Sequence, residues 1–211
     1  MLYLLLSIRI IMTIKTHSQG FTIVELLIVI VVIAILAALV ISSYNGIIAQ
    51  ANNARTTTAV QAYRKALIQY ATEKGEYPRA TGPSGPWYNA CLGEDYEGNA
   101  CWGNGNVAEY SYFNNQLKPY IGGNLPMPAT APINGHVGAA FFYSTALTID
   151  GNSHPWWIMY YLSGTGKKCP VGGPVPKLTT WPAFTSEMLD YTGTNSTATS
   201  CYTTLPNPSN L

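Results

Sequence analysis

The 211-residue chain carries 10% charged residues, well below the roughly 25% of an average soluble protein, and 12% aromatic residues, among them 15 tyrosines. Its 11 basic residues stand against 10 acidic ones, and once Arg9 and Lys15 are set aside the stretch from residue 21 onward holds 9 against 10. Such a balance excludes a field that would gather nucleic acid, the composition is not that of an ordinary cytosolic protein, and the length suits one domain plus an anchor.

In chain order, residues 1–11 are almost entirely apolar, and Met12 opens a polar stretch that bears Lys15 and ends at Gly20. A start at Met12 would leave a short basic leader held in the cytoplasm by the positive-inside tendency, and this is expected in preference to a second hydrophobic segment. Residues 26–41 are sixteen positions without a charge or a proline, and only residues 42–46 interrupt the run before Ala49. About 20 such residues, at roughly 1.5 Å rise each, cross a bilayer core. Residues 21–50 are therefore expected to form a hydrophobic helix that anchors the chain in a membrane. A buried helix of a soluble protein is the alternative, and it would need a large apolar interior around it.

The helical pattern continues past the apolar run. Val60, Tyr63, Leu67 and Tyr70 are spaced three and four apart, whereas Gln61, Arg64, Lys65, Gln69 and Glu73 lie mostly elsewhere on the helix. Residues 51–77 thus read as an amphipathic continuation, joined to the anchor through the small, polar, proline-free stretch 49–58, with Gly75 and Pro78 signalling the stop. One helix over 21–73 would be about 80 Å long. That exceeds any small domain, so its first half must meet lipid or other subunits.

Residues 78–211 form the expected globular head. Residues 81–86 and 103–106 read as loops. Runs at 139–147 and 156–162 read as strands of a hairpin with a long turn at 150–155, and 200–205 as a third strand. The second run, from Trp156 to Leu162, is apolar at both parities, so neither face of the sheet is plainly solvated and one face should cover the helix stripe. The fold class is α+β: a long N-terminal helix packed on a small antiparallel sheet with long loops.

Cys91, Cys101, Cys169 and Cys201 all lie in the head, and none forms a C-x-x-C pair of the zinc-binding kind. An even number in an exported domain favours disulfides over free buried thiols. Of the three pairings that four cysteines allow, proximity favours Cys91 with Cys101 and Cys169 with Cys201.

Other chemistry is thinly supported. His17, His136 and His154 are far apart and suggest no metal cluster. Gly164-Thr165-Gly166-Lys167-Lys168 lacks the first glycine and the hydroxyl residue of a phosphate loop and reads as a basic turn. No Gly-x-Ser-x-Gly elbow or catalytic triad is apparent. Glu94, Asp95 and Glu97 offer carboxylates for a weak calcium site, but the twelve-residue loop pattern is missing and a solvated acidic turn is the commoner explanation. Asn195-Ser196-Thr197 fits a glycosylation acceptor, a match too short to carry weight.

The informative segment is Gly20-Phe21-Thr22-Ile23-Val24-Glu25, followed at once by the apolar run. An acid near the centre of a bilayer costs on the order of 2.5 to 3.5 kcal/mol on insertion scales. Cutting after Gly20 would create an amine on Phe21, with a pKa near 8, able to neutralise Glu25 of an adjacent subunit. Placement of Glu25 at the interface, reaching to water, is the alternative. A small residue, an aromatic, an acid five residues after the cut and a long apolar helix together resemble the prepilin signature of type IV pilins and related pseudopilins, over about the first third of the chain. The resemblance implies a membrane prepilin peptidase that cuts after Gly20 and methylates Phe21, and an assembly role for Glu25. It implies as partners other pilin subunits in a helical homopolymer, the assembly machinery of the inner membrane and, before assembly, membrane lipid. It implies no cofactor and no enzymatic activity, and it places the precursor as a single-pass membrane protein and the product in an extracellular filament. Adhesion, motility and DNA uptake stay open as roles. The rivals are a pseudopilin of a type II secretion system, which a calcium site would favour, and a membrane-tethered adhesin binding sugars through its rings.

Overall fold

The computed structural model describes residues 20–82, 88–96, 100–102, 107–129, 138–145, 148–149, 151–164, 166–174, 190–191 and 198–211. The leader up to residue 19, most of the loop at 81–86, the loop at 103–106 and the acceptor triplet at 195–197 lie outside these residues. The chain divides into two compact units, residues 1–44 and 45–211. Helix α1 (Ile23–Lys74, 52 residues) contributes to both. It ends where sequence signals placed its stop: Gly75 adopts φ 74°, and its N–H donates to the Ala71 carbonyl at 2.8 Å. Glycine enters this left-handed conformation without the Cβ penalty that other residues meet.

In the second unit α1 buries Thr56, Ala59, Val60, Tyr63, Ala66, Leu67 and Ala71, a stripe with helical spacing. The strands are β1 (Ala90–Cys91), β2 (Ala100–Trp102), β3 (Val107–Ala108), β4 (Ala139–Tyr143), β5 (Thr148–Ile149), β6 (Asn152–Ser153), β7 (Trp156–Ser163), β8 (Gly173–Pro174), β9 (Asp190–Tyr191) and β10 (Ala198–Thr204). The main antiparallel sheet runs β1-β4-β7-β10-β8, with β9 also on β10, while β2 pairs β3 and β5 pairs β6. The first expected strand is shorter than 139–147. Chain direction reverses through a second small hairpin, β5 to β6, in which Gly151 takes φ 79°. The turn expected at 150–155 therefore contains a strand of its own.

Antiparallel pairing sets Ala140 opposite Met159, Phe142 opposite Trp157, and Cys201 opposite Tyr160. Because side chains alternate across a strand, β7 faces two cores. Trp156, Ile158, Tyr160 and Leu162 pack with the α1 stripe, Phe113, Leu117 and Phe141. Trp157, Met159 and Tyr161 pack on the other side with Cys91, Cys101, Tyr96, Val107 and Phe142. The Phe142 and Trp157 rings stack with centroids 4.8 Å apart.

A second helix, α2 (Ser111–Ile121), was not anticipated from the sequence, where Pro119 and the asparagines mask a modest apolar face. Tertiary bonds compensate its weak propensity. Fully buried Asn114 donates to the Gly93 carbonyl at 2.7 Å and accepts from the Gly93 N–H at 3.3 Å. Gln116 accepts from the Tyr70 hydroxyl at 2.7 Å and donates to the Arg79 carbonyl at 3.1 Å, and Tyr120 donates to Glu73 at 2.7 Å.

The stretch 49–58, which as sequence reads only as small and polar, carries the polar fastening of α1 to the head. The Asn53 side chain donates to the Ser163 carbonyl at 2.9 Å and accepts from the Ser163 N–H at 2.7 Å, closing the end of β7 as a neighbouring strand would. Arg55 donates to the Met127 carbonyl at 2.8 Å, and buried Thr56 accepts from the Ala129 N–H at 3.0 Å. At the far side, the Tyr160 hydroxyl donates to the Val171 carbonyl at 2.7 Å, and burial pushes that phenol up to about 12, so it remains a donor at any physiological pH.

Cys91 is bonded to Cys101 and Cys169 to Cys201, spanning 10 and 32 residues. Proximity thus favoured the pairing the fold makes. In the chain-entropy model, whose mechanism is disputed, the longer bridge contributes about 3 to 4 kcal/mol and the shorter about 2.5 to 3.

Two outcomes are expected. Asn53→Ala leaves a part-buried N–H and C=O of Ser163 without partners, so urea unfolding of the full chain in detergent should show a loss of about 1 to 3 kcal/mol. Exposed Gln61→Ala should change stability by less than about 0.5 kcal/mol; equal effects of the two variants would refute the fastening role. Replacing Cys169 and Cys201 together with serine should destabilise more than replacing Cys91 and Cys101, as read by the same unfolding curves. Non-reducing peptide mapping checks the pairing, and a Cys91–Cys169 peptide would contradict it.

Candidate functional site

The N-terminal end of α1 is built from a local sequence device. Thr22 precedes the first helical residue, and its Oγ1 accepts from the Glu25 N–H at 3.2 Å. Glu25 Oε2 in return accepts from the Thr22 N–H at 2.9 Å and from the Thr22 hydroxyl at 2.7 Å. This is a capping box: each residue satisfies a donor that the helix itself cannot. A negative side chain in the first turn also complements the positive end of the helix dipole. The signal was present in the sequence as Thr-x-x-Glu before an apolar run, although reading Glu25 only as a charge awaiting a distant partner overlooks it. Among the described residues both bonds to the carboxylate fall on Oε2. A carboxylate can accept about four hydrogen bonds, so Oε1 keeps its capacity for a further donor.

Gly20 and Phe21 lie ahead of the helix in exposed positions, Phe21 with 83% of its surface accessible. Behind them the large apolar side chains named from Ile23 to Ile48 are between 40% and 84% exposed. Helix α1 is long and apolar enough to cross a membrane. An apolar surface continuous around a helix over this length is not stable against water and needs lipid or protein around it.

The remaining sequence candidates are not assembled into a second site. Glu94 forms an ion pair with Lys118 at 3.2 Å. Asp95 sits at φ 64°, and Glu97 lies outside the described residues. Glu109 accepts from the Tyr96 N–H at 3.1 Å. Among the described residues no three His, Cys, Asp or Glu side chains converge as a metal would require. The rings at Tyr77, Tyr88, Phe141, Tyr143 and Trp156 form one contiguous cluster, with Tyr88 edge-on to Trp156 at 4.8 Å and the Arg79 guanidinium 5.2 Å from the Tyr88 ring centre. Tyr77, Phe141 and Trp156 are buried and serve as core, Tyr88 is half-buried and Tyr143 is exposed at the edge of the cluster. At the glycine-lysine stretch, Lys167 N–H donates to Thr199 Oγ1 at 2.9 Å and Thr199 donates to the Gly164 carbonyl at 2.6 Å. His17 and His136 are outside the described residues, and His154 lies between β6 and β7.

Comparison with known proteins bears on the N-terminal segment. Residues 15–41 match the family described as the prokaryotic N-terminal methylation motif. Over 71 residues the chain is 31% identical to the fimbrial protein EcpC of Eikenella corrodens, a match that covers 34% of this chain and 46% of that protein. The chain thus spans less than half the length of this curated relative. No solved structure matches the chain. With Gly20, Phe21 and Glu25 inside the matched residues and the apolar helix directly behind them, the chain carries the N-terminal methylation motif of the type IV prepilin kind.

Proposed function

We propose that the chain is the precursor of a structural subunit of a type IV pilus-like filament, cut after Gly20, N-methylated on Phe21 and assembled through its apolar helix. The observation that carries this reading is the exposed apolar face of α1 immediately behind the methylation motif. Before assembly, lipid covers that face; after extraction by the assembly machinery of the inner membrane, the same face of other subunits replaces the lipid. Each subunit offers one surface to the subunit ahead and another to the one behind, so contacts do not close and a helical polymer results. Residues 21–50 would form the filament core, residues 51–77 the helical link and residues 78–211 the outer head. No catalytic step is required of the chain itself.

In this reading Glu25 has two tasks on two oxygens. Oε2 closes the capping box, which survives the cut because the Phe21–Thr22 peptide bond is untouched. Oε1 is left to receive the amine that the cut creates on Phe21 of a neighbouring subunit. The capping box also lowers the cost of carrying an acid into lipid, since part of its hydrogen-bonding demand is met within the helix.

The mature protein should begin at Phe21 with one added methyl group, as read by N-terminal mass spectrometry of surface material. Recovery of residues 13–20 on assembled fibres would overturn the processing step. Glu25→Gln preserves the capping box but removes the charge, whereas Glu25→Ala removes both. A buried charge left without its partner costs about 3 to 5 kcal/mol, repeated at every subunit. Both variants should therefore be cleaved and enter the membrane, while fibres counted by electron microscopy fall at least about tenfold. Normal fibre numbers with Glu25→Gln would withdraw the pairing role. Thr22→Val, which loses the hydroxyl bonds alone, should reduce fibre number less than Glu25→Gln.

A further inference from the structure

A cleft of about 370 Å³ lies between the Asn53–Thr58 stretch of α1 and the end of β7, lined by Thr57, Thr58, Leu162, Lys167 and Lys168. Lys167 and Lys168, both exposed, are among its lining residues, and among the described residues neither has an acidic partner within ion-pair distance. That is notable in a chain with only 11 basic residues. Their placement is fixed by tied backbone. Thr199 bridges the Lys167 N–H and the Gly164 carbonyl, Gly164 holds φ 99°, and the Lys167 stem occupies the space that a Cβ at Gly164 would need. The helix side of the cleft is neutral and includes Thr57 and Thr58, while Asn53 is already spent on Ser163. Two lysines and two threonines around one cleft suit a compact anion with several acceptor oxygens, and phosphate is the commonest such group.

The position along α1 selects the source of that phosphate. Ile47 and Ile48, 63% and 40% exposed, end the apolar run. Residues 53–58 follow them within about 8 to 15 Å at the helical rise. The polar zone of a bilayer is about 5 to 7 Å deep beyond the hydrocarbon edge, and helix tilt together with the reach of a lysine stem spans the difference. We propose that this cleft binds the phosphate of an anionic phospholipid headgroup while the chain resides in the membrane, holding the head against the bilayer until extraction. The site would act as a headgroup clamp whose release accompanies transfer of the helix from lipid to filament. This rests on the membrane-inserted stage proposed above.

The test is native mass spectrometry of the full mature chain in mild detergent with equal amounts of phosphatidylglycerol and phosphatidylcholine. Each lysine near an anionic surface changes affinity by about fivefold, so two should enrich retained phosphatidylglycerol about 25-fold at low salt. Lys167→Ala with Lys168→Ala should bring the two lipids close to parity, and the corresponding double arginine variant should keep the preference. Lys65→Ala, on the exposed side of α1, should leave it unchanged. Equal retention of the two lipids by wild type, or undiminished preference in the double alanine variant, would overturn the proposal while leaving filament assembly untouched. In a lipid-free arm, inorganic phosphate that binds through the same lysines without any phosphatidylglycerol preference would assign the cleft to a soluble anion and also overturn it. Recovery of the expressed chain free of membranes would instead overturn both this proposal and the membrane stage on which it depends.

Discussion

Strand β7 sets the terms for the rest of the head, because it has no face that water can wet. Eight residues from Trp156 to Ser163 are buried or nearly so, and alternation sends four large side chains one way and three the other. A strand of this kind needs cover on both sides. The second half of α1 covers one side with small and large residues alternating along its stripe, Ala59 beside Val60 and Ala66 beside Leu67, so that Tyr63, Phe141 and Ile158 can interdigitate. The segment closed by the Cys91–Cys101 bridge covers part of the other. Neither cover would form alone, since β1 to β3 have only two or three residues each and a short isolated hairpin is marginal in water.

The same helix presents two kinds of surface. From Ile23 to Ile48 its apolar residues point in every direction, and from Thr56 onward they are confined to one stripe. Between these regimes Asn53, Arg55 and Thr56 bond to main-chain atoms of the head. Polar side chains suit that position. A wholly apolar helix could slide or rotate against a sheet at little cost, whereas main-chain partners at Ser163, Met127 and Ala129 specify one register. These bonds also spare the head from relying on the helix end that, in the assembly proposed above, exchanges lipid for protein.

At the N-terminus, chemistry and helix formation meet in one residue. Glu25 satisfies the first turn through one oxygen and leaves the other available. A carboxylate with no local partner would resist entry into lipid more strongly, and one fully engaged locally would have nothing to offer a neighbouring subunit. In the proposed assembly, the Thr22 hydroxyl and N–H divide the carboxylate between these demands.

Much of this protein was legible from residue order alone. The motif from Gly20 to Glu25, the long helix, its stop at Gly75, the stripe through Val60, Tyr63 and Leu67, and the doubly apolar strand at 156–162 are local patterns, written in spacing and in residues whose backbone preferences are strong. The disulfide pairing followed from proximity. What the sequence could not specify depends on contacts distant along the chain. Helix α2 has poor intrinsic propensity and exists because Asn114 bonds to the Gly93 main chain and Gln116 accepts from the Tyr70 hydroxyl and donates to the Arg79 carbonyl. The expected strand at 139–147 stops at Tyr143 because pairing with β7 runs out opposite Trp156. Asn53 looked like one more polar residue in a polar stretch until folding brought Ser163, 110 positions away, within hydrogen-bond reach. Lys167 and Lys168 read only as a basic turn, and it took the packing of that turn beside Thr57 and Thr58 to make them one wall of a cleft. Short-range periodicity and capping determine which elements form. Side-chain bonds to remote main chain, invisible in spacing, decide how those elements are joined.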